Sequence, residues 1–175
     1  FYIDSQLGVL VTFFKSQEPS TETLIKIVYA LTNMIMTEMP NLSREQKIFE
    51  RLLVYSLLEN TSFAVSVFRQ YDKELFPLWL ESLKTAEKAG DIHEPLVDSA
   101  AKMWLSHHLM MAINFLHLSG ESLFPYSKTK EDLINGMVIF ILLGIGLKDE
   151  KIRHFIEHNH INGIVEEIFG EKLVS

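Results

Sequence analysis

The chain is 175 residues long, 47% hydrophobic and 22% charged, with a formal net charge of -7 and a sequence pI of about 5.5. That size suits one well-buried domain and is tight for two, while the acidic balance argues against a broad electrostatic surface for phosphate backbones. The absence of cysteine removes disulfide frameworks, thiolate metal sites and cysteine nucleophiles, yet fits either a reducing or an oxidising compartment.

Helical periodicity dominates and no convincing strand is visible, so an all-α bundle of roughly eight helices in a single domain, 1–175, is expected. The first residues lack the basic start and small-residue cleavage site of a secretory signal, and the first helix is expected from Ser5 to Lys15. Pro19 and Ser20 end it, and Ser20 or Thr21 caps a second helix from Thr21 to Glu38. Pro40 and Asn41 then separate a third, Ser43 to Asn60, whose Ser43 and Gln46 have capping-box spacing. A long fourth helix spans Ser62 to Ala89. Pro77 inside it removes a backbone donor and crowds the preceding turn, which predicts a kink or break near Lys73 to Phe76. Gly90 can take the left-handed cap, and Pro95 fits the first turn of a helix from Pro95 to Leu118.

Ser119, Gly120 and Phe124-Pro125-Tyr126 supply a loop, and Thr129 with Asp132 makes a second capping box before a helix from Lys130 to Leu147. Helices from Glu150 to Asn159 and from Gly163 to Phe169 complete the series. The longest apolar run, Met137 to Leu147, is roughly half of a membrane span. It suits a helix buried on most sides, and so suggests a partner subunit; a soluble, cytoplasmic chain without a membrane association is expected.

Chemistry-bearing motifs are sparse. His154-Phe155-Ile156-Glu157-His158 fits the His-x-x-Glu-His pattern of inverted zinc peptidases: His154 and His158 lie one turn apart on a helix, and Glu157 is placed to act as base. A catalytic zinc needs a third protein ligand, and only Glu166, Glu167 and Glu171 follow as carboxylates, with His160 nearby. A metal-dependent hydrolase is therefore the alternative reading, and no metal or cofactor is expected. His107 and His108 point about 100° apart and cannot share one metal; the ordinary reading is a core or interface histidine, and the functional one places one at a cavity and the other toward solvent or a neighbouring helix. There is no Gly-x-Ser-x-Gly, and Gly144-Ile145-Gly146 sits in an apolar helix, where it cannot cradle phosphate.

What remains is a store of adaptable apolar side chains with a few polar groups among them. Their ordinary role is core, and the candidates for a pocket are Met34, Tyr55, Glu59, Trp79, Trp104, His107, His108, Met111 and Asn114. Glu59 follows Leu57 and Leu58, and a lone buried carboxylate there would be costly, so a solvated helix end is expected. Gly136, Phe140 and Gly144 share one helix face at four-residue spacing, which suits close approach of another helix, from this subunit or from a partner.

Leu83, Ala86, Gly90 and Ile92, followed by the paired Ala100 and Ala101, resemble the Leu-x-x-Ala-x-x-x-Gly-x-Leu/Ile hinge of the TetR/AcrR family's ligand-binding domain. Helix order extends the resemblance over most of the chain. Phe1-Tyr2-Ile3-Asp4-Ser5-Gln6-Leu7 also resembles the segment that follows the family's recognition helix, without its usual Ser-Lys-Glu. The resemblance implies a cavity among the second to fifth helices for an apolar or amphipathic small molecule. It implies a homodimer built from the helices over Pro95 to Leu118 and Lys130 to Leu147, with Trp104, His108, Phe115, Gly136, Phe140 and Gly144 at the interface. It implies, finally, a ligand-sensing role in a bacterial transcriptional regulator of the repressor type, whose DNA-binding helix-turn-helix lies upstream of this sequence. A dimerisation module without ligand is the third reading.

Overall fold

The computed structural model describes residues 2–36, 44–59, 61–94, 96–116, 129–158 and 161–170. Across them the apolar periodicity is realised as α1 (Tyr2–Lys15), α2 (Thr21–Met36), α3 (Arg44–Leu58), α4 (Ser62–Glu74), α5 (Phe76–Lys88), α6 (Ser99–Leu116), α7 (Lys130–Gly144), α8 (Asp149–His158) and α9 (Ile161–Phe169). The protein is an all-α bundle. Among the described residues the sole β feature is an isolated antiparallel bridge between Ile92 and Leu147.

The expected fourth helix is two helices. α4 stops at Glu74, Leu75 turns the chain, and Pro77 falls in the first turn of α5, where its missing N–H forfeits no intrahelical bond. Side-chain caps act where expected: Ser20 Oγ accepts the Thr23 amide at 3.0 Å, and Thr129 Oγ1 accepts that of Asp132 at 3.0 Å. The cap expected from Ser43, the turn through Phe124 to Tyr126, and Asn60 and Pro95 lie outside the described residues.

α1 starts at Tyr2 and not at Ser5, α9 starts at Ile161 and not at Gly163, and two further boundaries differ for a visible reason. α6 begins at Ser99 and not at Pro95, because Asp98 Oδ1 accepts the amides of both Ala100 and Ala101 at 3.0 Å and so sets the first turn later. α7 ends at Gly144 and not at Leu147, because Gly146 at φ 90° reverses the chain, and the Leu147 amide returns to Leu142 O at 3.0 Å. Gly90, at φ 73°, closes α5 in the same way, with the Asp91 amide on Ala86 O at 3.0 Å.

α2 is the axis of the core. Residues from Thr23 to Asn33, apart from the partly exposed Lys26, are buried, and α1, α5, α6, α7 and α9 all pack against it. Its buried polar groups satisfy themselves locally: Thr32 Oγ1 donates to Val28 O at 2.7 Å and Asn33 Nδ2 to Tyr29 O at 3.0 Å. The two ends of the apolar helix pair are tied to the hinge after α5. Glu87 receives Ser99 Oγ at 3.0 Å and the Lys102 ammonium at 3.2 Å, joining α5 to α6. Across the hinge, His93 N donates to Gly146 O at 2.9 Å and Lys148 N to Asp91 O at 3.0 Å.

The Asp91 carboxylate completes that tie, accepting from Thr21 Oγ1 at 2.6 Å and pairing with Lys151 at 2.9 Å. The Thr21 hydroxyl first, and Lys151 with it, hold the Asp91 carboxyl below the ordinary carboxylate range. A group with a depressed folded pKa stabilises above its unfolded value and loses that contribution as pH falls through the folded one. Asp91→Ala is expected to cost ~1–2 kcal/mol in urea unfolding at pH 7. The gap from wild type should narrow as pH falls below 3.8, the ordinary value for the side chain. A gap unchanged with pH would contradict the assigned role.

Candidate functional site

α6 turns Met103, Ser106, His107, Met110 and Asn114 inward, at the spacing of one helix face. His107 is therefore buried, 1% exposed, while its neighbour His108 is exposed. Five rings surround the imidazole: Phe68 and Tyr71 from α4, Phe76 from α5, and Trp104 and His108 from α6, with centroids 5.5 to 6.1 Å from its own. Neither ring nitrogen of His107 has a hydrogen-bond partner. Burial first, and the neighbouring His108 second, lower its pKa from 6.5 to about 4, so the ring is neutral near pH 7.

In front of this aromatic box lies an open cleft of about 390 Å³ between α3, α4 and α6. Leu57, Ala64, Val65, Phe68 and Trp104 form its apolar walls, and Arg69 and Asp72 are exposed at its rim. The cleft's two hydroxyls are already committed to the α3–α4 turn. Ser56 Oγ accepts the Ala64 amide at 2.8 Å, and it shares a short hydrogen bond with Thr61 Oγ1. Phe68 and Trp104 belong to both features, so His107 stands one ring layer behind the cleft wall. A smaller cavity of about 130 Å³ lies between α2, α7 and α8, walled by Ile25, Tyr29, Val138, Leu142 and Phe155, with the amide oxygen of Asn135 beside it unpartnered. Burial pushes the Tyr29 hydroxyl up in pKa, against a lowering hydrogen bond with Asn33.

Of the sequence-predicted pocket residues, Trp104 lines the cleft, His107 packs against it one layer behind, and His108 is exposed. Tyr55, 62% exposed, and Glu59 stand on its α3 flank in solvent, Glu59 at the helix end as expected. Met34 packs partly buried against the core and Trp79 is wholly inside it. Asn114 is buried and donates from Nδ2 to Glu50 Oε2 at 3.1 Å, tying α6 to α3; Met111 is half-buried. Sequence reasoning missed Phe68 and Tyr71. The readable signal was the inward stripe of Ala64, Phe68, Tyr71 and Leu75 on α4 and its continuation.

The predicted partner face falls on adjacent helices. On α6, Leu105 (63% exposed), His108 and Ala112 point outward, with Trp104 and Phe115 half-buried beside them. On α7, Gly136, Ile139, Phe140 (65% exposed), Leu143 and Gly144 point outward. A Cβ built on Gly136 or Gly144 would meet nothing within 4 Å. The glycines are thus not there for packing inside the subunit. α7 was expected to be buried on most sides; instead only Ile134, Met137, Val138, Ile141 and Leu142 are buried, because one face suffices to cover α2.

His154 and Glu157 are exposed on α8, and the His158 side chain and His160 lie outside the described residues. Among the described residues no group of three His, Cys, Asp or Glu side chains is placed to hold a metal ion, and no helix is long and apolar enough to cross a membrane. Comparison of the chain with protein-family models, with curated proteins and with solved structures gives no match in any of the three.

The His107 box carries a pH signature. Between pH 6.5 and about 4 the unfolded chain takes up a proton that the folded chain refuses, so stability falls as pH drops through that window and levels off below it. The full effect is ~3 kcal/mol. In urea titrations across the window, His107→Leu should flatten that slope relative to wild type. An equal slope in both proteins would place the imidazole in water.

Proposed function

We propose that this chain is the ligand-responsive dimerisation domain of a cytoplasmic transcriptional regulator of the TetR/AcrR kind, a repressor whose grip on DNA is altered by an apolar or amphipathic small molecule. The observation that carries this reading is the outward, uncharged face of α6 and α7. No charged residue occurs from Leu133 to Leu147, and the one lysine of α6, Lys102, is buried against Glu87. Two copies bearing a net charge of -7 repel one another over most of their surfaces but not here.

Such a face is self-complementary across a two-fold axis, with Phe140 of one copy as knob and the flanking Gly136 and Gly144 as room for the other's backbone. Covering a side chain of the Phe140, Leu105 or Leu143 type contributes up to ~1.5–3 kcal/mol each. The occupant is therefore a second copy of this chain, giving a four-helix interface.

The sensing half of the reading rests on α6 belonging to two surfaces. Trp104 walls the cleft and also borders the outward stripe through its ring contact with His108 at 5.6 Å. A ligand that prefers one setting of Trp104 and α6 would bias the angle between subunits, and a DNA-reading domain carried by each would feel that angle. The acidic domain itself would leave DNA to that other domain.

Sedimentation equilibrium tests the interface. The wild-type chain should be a dimer at micromolar concentration and Phe140→Glu a monomer with unchanged helix content, since Phe140 is exposed in the single subunit. Gly136→Ala should raise the stability of the monomer by about 1 kcal/mol through helix propensity while weakening the dimer. A monomeric wild type, or a Phe140→Glu dimer, would refute the reading.

A further inference from the structure

We infer that the cleft between α3, α4 and α6 takes an uncharged, planar aromatic ligand carrying a single hydroxyl or N–H group, and that the His107 imidazole is the polar anchor for that group. This deepens the sensor reading and rests on it for the biological role, though the binding itself does not require a dimer.

The inference starts from an imbalance inside the bundle. A buried polar group without a partner is destabilising, and buried groups in native proteins are normally paired. His107 is 1% exposed with both ring nitrogens unpartnered, and five aromatic rings surround its own. Five rings explain why an aromatic residue fits the position. They do not explain why that residue has nitrogens, since phenylalanine would satisfy the same contacts. Trp79 Nε1 and Ser82 Oγ on α5 are likewise unpartnered, but neither residue lines the cleft. His107 is set apart because two of its five ring neighbours, Phe68 and Trp104, are the cleft wall.

The ligand class follows from the lining. Five of the nine lining residues are apolar and two of those, Phe68 and Trp104, are aromatic, which favours a flat ring that stacks on them or meets them edge-on. Ser56 Oγ is engaged by the α3–α4 turn and Thr61 is exposed, so next to the cleft wall His107 is the buried group with hydrogen-bonding capacity to spare. A neutral imidazole presents one donor and one acceptor, matching a group that can donate, accept, or do both, such as a phenol hydroxyl. The apolar walls hold no counter-charge for a charged ligand, and the rim carries one residue of each sign, Arg69 and Asp72. Both wall rings are only partly buried, Phe68 on α4 and Trp104 on α6, and binding at the imidazole requires one of them to rotate out of the layer between it and the cleft.

The test uses the full chain and three probes: 2-naphthol, naphthalene, and 2-naphthoate. Binding is followed by Trp fluorescence and by the imidazole nitrogen shifts of the wild-type protein in two-dimensional nitrogen-15 spectra. We expect 2-naphthol to bind about 10-fold more tightly than naphthalene, to displace the His107 nitrogen resonances, and to outcompete the charged naphthoate. In His107→Phe the two uncharged probes should become equal. Should that variant fold poorly, Val65→Trp, which fills the cleft from the exposed side of α4, should abolish binding of both. The proposal is overturned if 2-naphthol fails to bind at millimolar concentration, if it binds without moving the His107 resonances, or if naphthalene binds as tightly to wild type. Those outcomes leave the dimer untouched, whereas a monomer that still binds 2-naphthol through His107 would refute the regulator reading and keep this one.

Discussion

Helix α2 has almost no face left for water. Side chains from Thr23 to Met36, apart from the partly exposed Lys26, Met34 and Ile35, are covered by α1, α5, α6, α7 and α9, and burying most of a helix in a chain this short consumes the inner surface of nearly every other element. The polar groups α2 carries inside, Thr32 and Asn33, are hydrogen-bonded to its own carbonyls. That self-sufficiency lets the surrounding helices be apolar where they meet it.

The rest of the architecture follows from how those helices were used up. α8 is strongly two-faced, with Ile152 and Phe155 inside and Arg153, His154 and Glu157 in water, as a surface helix should be. α6 and α7 are not. Each spends one apolar face on α2 and keeps a second, with Leu105 on one helix and Phe140 on the other standing in solvent in the single subunit. Both are also anchored at the hinge: α6 through Glu87, Ser99 and Lys102, and the end of α7 through the backbone bonds between residues 91–93 and 146–148. A displacement of α6 at Trp104 therefore acts on a helix fixed at its start and facing outward along its length. This is the physical content of the proposed link between the cleft and the subunit interface.

How much of this could be read from the chain depended on whether the cause was local. The split of the fourth helix followed from Pro77, the left-handed closure from Gly90, and two helix starts from Ser20 and Thr129, because each acts within one turn of backbone. The start of α6 was misplaced because Pro95 and Asp98 are both plausible openings, and the choice between them rests on which acceptor the Ala100 and Ala101 amides find. The candidate site was less legible. Adjacent histidines had to diverge by 100°, but α6 is apolar on both faces, so periodicity did not say which of His107 and His108 points inward. The cleft is made by the meeting of α3, α4 and α6, and no spacing within one helix announces it. Tyr55 and Glu59 therefore missed its lining by one or two positions while Ser56 and Leu57 took it.

The proposed dimer would cover the outward faces of α6 and α7, which stand in solvent in the single subunit. Hydrogen exchange measured by mass spectrometry over a range of protein concentration tests it most directly, because it reports which backbone segments respond to association. Protection should rise with concentration in peptides covering 99–116 and 130–147 and stay constant in α3, α4 and α8. Protection that does not depend on concentration, or that rises elsewhere while those two helices stay unchanged, would contradict it.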